Sequence, residues 1–405
     1  MSTLRLPWAA WYGDGELALA VPDTWRVIIA RPRDAAGLAP AELKARLRQP
    51  IATLPLRTLA SGKKRVVLVI DDLSRPTPTA QLLPLVLEEL RAGGVGPDAV
   101  HILLGQATHR PLGRPDFLKK LGPLADDLRV TCHNPYENLV FVGTTAAGTP
   151  VWISRWYTEA DLRVTIGCVE PHPAYGFSGG AKLVFPGLAG MDSIYANHRP
   201  GHLPGGILHP ETNAKRLDAE EAVRMAGLDL VINAVINTRR EVAGLFAGDF
   251  VAAHRTAAAF ADQVYATPVP APADVLVLNA YPKDTELIQV NNAANALGAA
   301  KVPVMHDRTV VVITTAASEG AGWHALANPG GRMYERPSLH TLQGRPVIVF
   351  CPHGRAGDLP PSLPKDAQFC RTWEATVQAV ARLTISQPNV LVFPEGPLQI
   401  PVTPT

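Results

Sequence analysis

The sequence predicts an α/β protein with two domains, each built on a mostly parallel sheet. Short, continuously apolar runs recur along the chain, and helical segments separate them. Such runs are typical of strands that are buried on both faces of a parallel sheet, and their alternation with helices indicates strand–helix–strand units. The length of 405 residues exceeds the usual size of one domain, which favours two.

The first half of the chain contains a predicted hairpin and then strands that alternate with helices. Residues 11–30 predict a hairpin because Asp14-Gly15 is a turn signal between two apolar segments. A helical segment ends at Gly93-Gly94, since glycine stops a helix. The predicted strands are 65–70, 100–106, 162–167, 229–237 and 241–248, and a helix is predicted over 252–265.

The second half repeats the alternation after a proline-rich segment. Residues 266–274, ATPVPAPAD, contain three prolines without a core pattern and are the best candidate for a linker. The elements predicted beyond it are strands 275–280, 310–317, 347–352 and 390–396, and helices near 285–300 and 372–384. We therefore predict an N-terminal domain over 1–266, a linker over 267–274 and a C-terminal domain over 275–405. The sequence also allows the last strand and the tail to return to the first domain.

The bulk composition limits the possible partners and compartment. A net charge of +2 with no long run of one sign gives no electrostatic basis for binding nucleic acid or a membrane surface. The four cysteines lie far apart without a CxxC pair, which favours a reduced protein over a disulfide scaffold. The N-terminal residues lack a signal-peptide core, and no apolar run reaches the ~20 residues of a membrane span. We expect a cytoplasmic protein that binds a small molecule.

Polar side chains follow three predicted strands of the first domain, where each strand ends. Because the carboxyl ends of parallel strands meet at one edge of a sheet, these groups are expected to form a ligand site. In strand order the groups are Asp71, Asp72, Ser74, Arg75 and Thr77; Thr108, His109 and Arg110; and Glu170, His172, Ser178 and Lys182.

Each of these residues also has a purely structural interpretation. Asp72 or Thr77 could cap a helix, and a helix start that carries Pro78 could also bind phosphate. His109 and His172, taken singly, could be hydrogen-bonded loop histidines. The segment GFSGGAK is not a P-loop, because Leu183 stands where a hydroxyl residue is required, and no GxGxxG follows a first strand.

Ordered motifs along most of the chain resemble the lactate racemase family. The motifs are DDLSRPTP (71–78), ATHRP (107–111), PHPAYGFSGGAKLVFPG (171–187), NH (197–198) and YPKDTELIQ (281–289). The resemblance implies two α/β domains with an active-site cleft between them. It also implies an isomerase that inverts C2 of a 2-hydroxy acid by reversible hydride transfer to a nickel-pincer nucleotide. This cofactor is a pyridinium-3,5-bisthiocarboxylic acid mononucleotide with nickel, so cofactor-biosynthesis enzymes are implied partners.

The resemblance also assigns roles by motif position. His109 and His172 match the two general acid/bases, which suits an imidazole whose ordinary pKa is near 6.5. His198 matches the protein ligand of nickel, and Lys182 matches a lysine that is joined covalently to the cofactor. The residues that match cofactor-binding segments are Asp72, Thr77, Ser178, Gly179 and Gly180, and those that match substrate contacts are Arg75 and Gln289.

The chain departs from the family pattern at Asn292. Lactate racemase has a lysine three positions after the glutamine, whereas the run here is QVNN. The change removes a charge-assisted hydrogen bond worth roughly 1.5–3 kcal/mol. We therefore expect a larger or more hydroxylated acid than lactate, with Asn291 or Asn292 bonding its extra polar groups. Lys283 is a candidate for the missing charge.

Three alternatives remain open from the sequence. The first is a C2 epimerase of sugar acids, which keeps the cofactor and is slightly favoured by polar residues in the cleft. The second is a non-catalytic cofactor-binding protein, which needs neither His109 nor His172. The third is a zinc hydrolase, for which the chain lacks an HExxH or comparable ligand spacing.

Overall fold

The computed structural model describes residues 2–334 and 340–404 and divides into two compact units. The central unit is Ala35–Asp262, and the terminal unit is Met1–Asp34 together with Gln263–Thr405. Each unit contains a six-stranded sheet. The predicted α/β class with mostly parallel sheets is confirmed. None of the helices in the described ranges is long and apolar enough to cross a membrane.

The elements are numbered in chain order. The strands are β1 (Ser2–Trp8), β2 (Gly15–Val21), β3 (Arg26–Ile29), β4 (Val66–Ile70), β5 (Val100–Leu104), β6 (Arg129–Cys132), β7 (Leu139–Thr144), β8 (Pro150–Ser154), β9 (Leu162–Cys168), β10 (Pro171–His172), β11 (Gly176–Phe177), β12 (Leu230–Ile236), β13 (Val242–Gly248), β14 (Ala266–Pro268), β15 (Ala273–Asn279), β16 (Met305–Thr314), β17 (Val347–Phe350), β18 (Gln368–Cys370), β19 (Asn389–Phe393) and β20 (Ile400–Val402). The α-helices are α1 (Pro40–Arg48), α2 (Leu56–Leu59), α3 (Thr79–Ala92), α4 (Arg114–Leu121), α5 (Arg155–Thr158), α6 (Met191–His198), α7 (Ala214–Ala226), α8 (Ala252–Val264) and α9 (Trp373–Leu383).

The main sheet of the central unit has the strand order β13-β12-β9-β4-β5-β6 and is parallel except for β13. Strands β4 and β5 are buried at every position, as their continuous apolar sequences predict. The chain continues from β4 to β5 on one side, and β9 lies on the other side of β4. This change of direction places the carboxyl ends of β4, β5 and β9 beside a crevice, where open α/β sheets bind ligands.

The main sheet of the terminal unit has the order β18-β17-β16-β15-β19-β3 and is parallel throughout. The β1–β2 hairpin and α9 contribute to the core on one face, where Leu4 and Leu6 lie in one cluster with Val275 and Val277. The core on the other face includes Leu287 and Val290 of a 3₁₀-helix, Leu287–Ala299.

The structure differs from the predicted domain boundaries in two places. The first 34 residues belong to the terminal unit, because β3 pairs with β19 and the hairpin contributes to that unit's core. The segment predicted as a linker, 267–274, contains most of β14, which pairs with β20. Strand β19 and the tail remain in the terminal unit. These pairings join residues far apart in the chain, so local composition gave no signal for them.

Two predicted elements have a different form in the structure. In the N-terminal hairpin Gly15 begins β2, but the first strand is Ser2–Trp8, and residues 9–14 form a long loop. The helix predicted near 285–300 is the 3₁₀-helix Leu287–Ala299. A 3₁₀-helix has three residues per turn and aligns side chains at positions i and i+3. Gln289, Asn292 and Asn295 therefore share one face.

Candidate active site

A carboxylate–imidazole pair joins the ends of β4 and β5. The Nδ1 atom of His109 lies 2.7 Å from Oδ2 of Asp72. The other carboxylate oxygen of Asp72 accepts bonds from the backbone N–H and the hydroxyl of Ser74. Burial by itself raises the pKa of Asp72, but His109 and Arg75 more than offset it and hold this pKa well below its usual range. An ionised Asp72 accepts the Nδ1 proton, so Nε2 is the basic nitrogen of neutral His109.

A buried lysine holds the loop after β4 in place. Lys120 of α4 is fully buried, and its Nζ lies 2.6 Å from Oδ1 of Asp71. The same amine donates to the carbonyls of Asp72 and Arg75 at 3.1 and 3.0 Å. The hydroxyl of Thr77 donates to Oδ2 of Asp71 at 2.5 Å. Burial raises the pKa of Asp71, and the Lys120 charge opposes this shift.

These contacts show whether Asp72 or Thr77 caps a helix. Helix α3 begins at Thr79 after Pro78, and no side chain caps it. Asp72 instead bonds His109 and Ser74, and Thr77 bonds Asp71. Both residues therefore organise the loop, and capping of α3 by either side chain is wrong.

Arg75 places a partly buried cation at the same strand edge. Its Nε lies 3.4 Å from Oε1 of Glu170, whose side chain is fully buried. Its Nη1 donates to the carbonyl and the hydroxyl of Ser74. Burial alone would lower the pKa of Arg75, but the Glu170 and Asp72 carboxylates raise it, so the guanidinium stays charged. A planar cation of this kind suits a carboxylate ligand.

The turn Ser178-Gly179-Gly180 follows β11 and is tightly packed. Both glycines have a left-handed backbone, with φ of +72° and +58°. An added Cβ would lie 2.8 Å from Val169 at Gly179 and 2.9 Å from the His254 ring at Gly180. The Ser178 hydroxyl donates to the carbonyl of Cys168 and accepts the N–H of Glu170. Only glycine fits these two positions.

Arg216 of α7 holds this turn from the protein interior. The side chain is fully buried. It donates to the carbonyls of Tyr175 at 3.3 Å and Gly179 at 3.1 Å, and also to that of Phe177. Burial lowers the pKa of Arg216 to about 10, which leaves it charged at neutral pH. One planar fork therefore fixes alternate carbonyls of the segment.

Tyr175 lies between the three remaining motif residues. Its ring centroid is 5.5 Å from that of His172 and 5.5 Å from that of His198, and the Lys182 amine lies 5.6 Å from it. Its hydroxyl donates to Oδ1 of Asn197, which in turn donates to Asp218 at 2.7 Å. Tyr175 lies inside the motif of 171–187, but nothing in its sequence context marks it as a site residue. The ring brings together groups that chain spacing could not connect.

The side chain of His172 has the opposite proton arrangement to His109. Its Nδ1 accepts the backbone N–H groups of Ala174 at 3.2 Å and Tyr175 at 3.3 Å. An acceptor at Nδ1 places the proton of neutral imidazole on Nε2. His172 is therefore arranged to donate a proton from Nε2, whereas His109 is arranged to accept one there.

His198 is the last residue of α6 and has the arrangement of a metal ligand. Its Nδ1 lies 2.9 Å from the carbonyl of Ile194, one turn earlier in the helix. A backbone carbonyl is an acceptor, so Nδ1 carries the proton and Nε2 can bind a metal. Histidine ligands commonly donate their other ring N–H to such a carbonyl.

An open pocket lies at the carboxyl ends of β4, β5 and β9. Its lining residues include Asp72, Arg75, His109, Ser178, Gly179 and Lys182. The predicted convergence of these strand ends is therefore present in the central unit.

The predicted substrate residues of the second domain lie in the terminal unit, on the 3₁₀-helix. The amide of Asn292 donates to Oε1 of Gln289 at 3.0 Å, and that of Asn295 donates to Oδ1 of Asn292 at 2.7 Å. Gln289 donates in turn to Glu286. These side chains form a continuous hydrogen-bonded row, because 3₁₀ geometry repeats every three residues. We call its three amides, Gln289, Asn292 and Asn295, the amide ladder.

Comparison with known proteins gives the family. A model of the lactate racemase N-terminal domain matches residues 12–203. Lactate racemase of Thermoanaerobacterium thermosaccharolyticum is 31% identical over 336 residues, which cover 80% of this chain and 76% of the relative. The chain belongs to the lactate racemase family. Lactate racemase of Lactiplantibacillus plantarum is 30% identical over 296 residues, 70% of this chain and 68% of the relative.

Two solved structures agree with the fold. The lactate racemase apoprotein of Thermoanaerobacterium thermosaccharolyticum superposes with a TM-score of 0.77 at 24% identity, over 99% of this chain and 100% of the other. A crystal structure from Thermotoga maritima gives 0.68 at 17% identity, over 92% of this chain and 100% of the other. Membership in the lactate racemase family makes this protein an isomerase and confirms the resemblance.

Proposed function

We propose that this protein inverts C2 of a 2-hydroxy acid other than lactate with a nickel-pincer nucleotide as cofactor. The observation that supports the proposal most strongly is the pair of imidazoles in complementary proton states. Neutral His109 has an acceptor at Nε2 because its Nδ1–H donates to Asp72, and neutral His172 has a donor at Nε2 because two backbone N–H groups face its Nδ1. In the proposed reaction the substrate hydroxyl loses a proton as C2 gives up its hydrogen and regains one when the hydrogen returns, so one group must accept a proton and another must donate one.

The residues of the central unit fit the proposed cofactor. The pocket at the strand ends exposes Lys182, the candidate for covalent attachment, and Arg75, a cation for an anionic group. His198 offers Nε2 as a single imidazole ligand for nickel. The Ser178-Gly179-Gly180 turn and the loop of Asp72 and Thr77 would border the nucleotide.

The bound cofactor would supply a reversible two-electron acceptor, which would take the hydrogen at C2 as hydride and return it to the opposite face, so that the reaction involves no net oxidation. In our proposal Nε2 of His109 takes the hydroxyl proton of one enantiomer, and the Asp72 carboxylate stabilises the imidazolium that forms. The Nε2–H group of His172 then gives a proton to the substrate oxygen, which forms the hydroxyl of the opposite enantiomer. Arg75, held in place by Glu170, binds the carboxylate or the oxygen that gains charge.

The amide ladder favours a substrate that carries hydroxyl groups beyond C2. Gln289, Asn292 and Asn295 offer hydrogen-bond donors and acceptors without a positive charge. The Oδ1 atoms of Asn291 and Asn295 are buried without a hydrogen-bond partner among the described residues. Buried acceptors of this kind are normally satisfied by a ligand or a water molecule. The sugar acids are therefore the second candidate class, with C2 epimerisation as the reaction.

The substrate assignment predicts a change of specificity in Asn292→Lys. With cofactor-loaded protein, wild type should act faster on a polyhydroxylated acid than on lactate. The added ammonium should raise kcat/KM for lactate about tenfold or more, because it restores a charge-assisted hydrogen bond. Initial rates on a panel of 2-hydroxy acids would measure both. Asn389→Lys, at an exposed strand end, is the control for added charge. Fastest wild-type turnover on lactate would contradict the substrate proposal.

The cofactor assignment predicts a covalent adduct on Lys182. Protein produced together with the biosynthetic enzymes should show a mass increase on the peptide that contains Lys182, together with bound nickel. Lys182→Arg should lose the adduct because a guanidinium does not replace the amine in that bond, whereas Lys119→Arg should keep it. Absence of both the adduct and nickel from the co-produced wild type would rule out the cofactor.

A further inference from the structure

The N-terminal hairpin of the terminal unit has a strained loop, residues 9–14. Ala9, Trp11 and Asp14 have positive φ values of 60°, 67° and 44°. Residues with a Cβ adopt this conformation only at a cost in free energy, and it persists where surrounding contacts over-determine it. Contacts that hold three such residues within six positions are therefore expected to serve more than a simple turn.

Those contacts come from the segment that precedes the 3₁₀-helix. The carboxylate of Asp284 is fully buried and accepts the backbone N–H groups of Ala9 at 2.8 Å and Ala10 at 3.1 Å. The hydroxyl of Tyr12 donates to Glu319 at 2.8 Å. The hydroxyl of Tyr281 donates to Asp14 at 3.3 Å. Four hydrogen bonds thus tie the loop to residues 281–284, which precede the 3₁₀-helix, and to residue 319, which follows it.

The same segment continues without a break into the 3₁₀-helix. The N–H of Ala317 donates to the carbonyl of Asp284 at 2.8 Å, and the N–H of Glu319 donates to that of Thr285 at 2.7 Å. The N–H of Leu287 donates to the carbonyl of residue 320, and the N–H of Ile288 donates to that of residue 321, both at 2.9 Å. A displacement of Asp284 would therefore be passed to the first turn of the helix, which holds Gln289.

The charge state of Asp284 agrees with this geometry. Burial raises the pKa of Asp284 to about 6, and the two N–H groups of Ala9 and Ala10 oppose that rise. The carboxylate is therefore mainly ionised at neutral pH, where both of its oxygens accept a hydrogen bond. The mechanism proposed above does not use this buried acid.

We propose that Asp284 is a positioning residue that clamps the loop of residues 9–14 and so fixes the start of the substrate-binding helix. The clamp aligns Gln289 and, through the amide ladder, Asn292. Its effect on substrate rests on the proposed function, because only that function makes the ladder a binding surface.

The kinetic test is Asp284→Asn in full-length, cofactor-loaded protein. The amide oxygen of the asparagine can accept one of the N–H groups of Ala9 and Ala10. Its NH₂ group faces the other N–H, and two donors cannot form a hydrogen bond with each other. KM for the best acid of the panel should rise about tenfold or more with kcat within about threefold, since uniform substrate binding is lost. The control is Asp274→Asn, because Asp274 also accepts a backbone N–H, from Asn389 at 2.8 Å, and lies outside the clamp. A fall in kcat with unchanged KM would overturn the proposal.

Hydrogen exchange tests the clamp without turnover. In Asp284→Asn the amides of residues 9–14 and of residues 286–292 should exchange faster together, and Tyr12→Phe should show a smaller change in both. Faster exchange confined to residues 9–14 would overturn the positioning role. If wild type turns over no 2-hydroxy acid, the proposed function fails, and the exchange pattern still decides whether the clamp exists.

Discussion

Replacement of Asp72 by asparagine is expected to lower kcat about 10³–10⁴-fold. The carboxylate accepts the Nδ1 proton of His109 and leaves Nε2 basic. An asparagine that turns its NH₂ group toward Nδ1 stabilises the other tautomer, with the proton on Nε2, so the base is lost while the ring stays in place. Initial rates with the best acid, in both directions, would measure the effect. Because the overall equilibrium constant is fixed, kcat/KM must fall by the same factor in both directions.

Two controls separate this tautomer effect from loss of the loop. Ser74→Ala removes a neighbouring hydroxyl but leaves the Asp72–His109 pair, so kcat should fall by no more than about tenfold in this variant. The mass adduct on Lys182 should be retained in both variants, which would show that the cofactor pocket still forms. A similar loss of activity in Ser74→Ala and Asp72→Asn would contradict the proposed role of the carboxylate.

Arg216→Met is expected to lower the free energy of unfolding by roughly 3–5 kcal/mol. The buried guanidinium serves the carbonyls of Tyr175, Phe177 and Gly179, and methionine would leave all three without this donor. A hydrogen bond from a charged donor contributes about 1.5–3 kcal/mol, and part of the sum is recovered because the carbonyls of Tyr175 and Gly179 keep the N–H groups of Phe177 and Lys182. Urea unfolding, followed by circular dichroism, would measure the change.

The matched control for this stability prediction lies on the same helix. Arg224 of α7 is exposed, and its guanidinium lies 5.7 Å from the ring centroid of Phe250. Arg224→Met should therefore cost less than about 1 kcal/mol. An equal fall in the free energy of unfolding in the two variants would contradict the prediction. It would show that helix propensity or net charge, and not support of the glycine turn, sets the size of the fall.

The strand-end part of the site could be predicted because it depends on local sequence. Strands β4, β5 and β9 are short apolar runs, and the first polar residues after them lie at the edge of a parallel sheet by topology alone. The convergence of Asp72, His109 and Lys182 in one pocket follows from that rule. The two-domain α/β class follows from the same alternation.

The supports of the site could not be predicted, because their partners are distant in the chain. Lys120 reaches the loop after β4 from a helix, with no motif to mark it. Arg216 reaches the glycine turn from about 40 residues away. A lysine or arginine on an amphipathic helix is usually solvated, so composition assigns it to the surface. Only the packing of the elements shows that these two cations are buried.

By itself the sequence determined the α/β class, the strand ends that carry the chemistry and the family resemblance, which the relatives confirm. These depend on apolar periodicity and ordered motifs, which are properties of contiguous residues. Tertiary structure alone decided that the first 34 residues join the terminal unit, that Tyr175 lies among His172, Lys182 and His198, and that Nδ1 faces a carboxylate in His109 but two N–H donors in His172. Each of these depends on hydrogen bonds or ring contacts whose geometry exists only after the chain has folded.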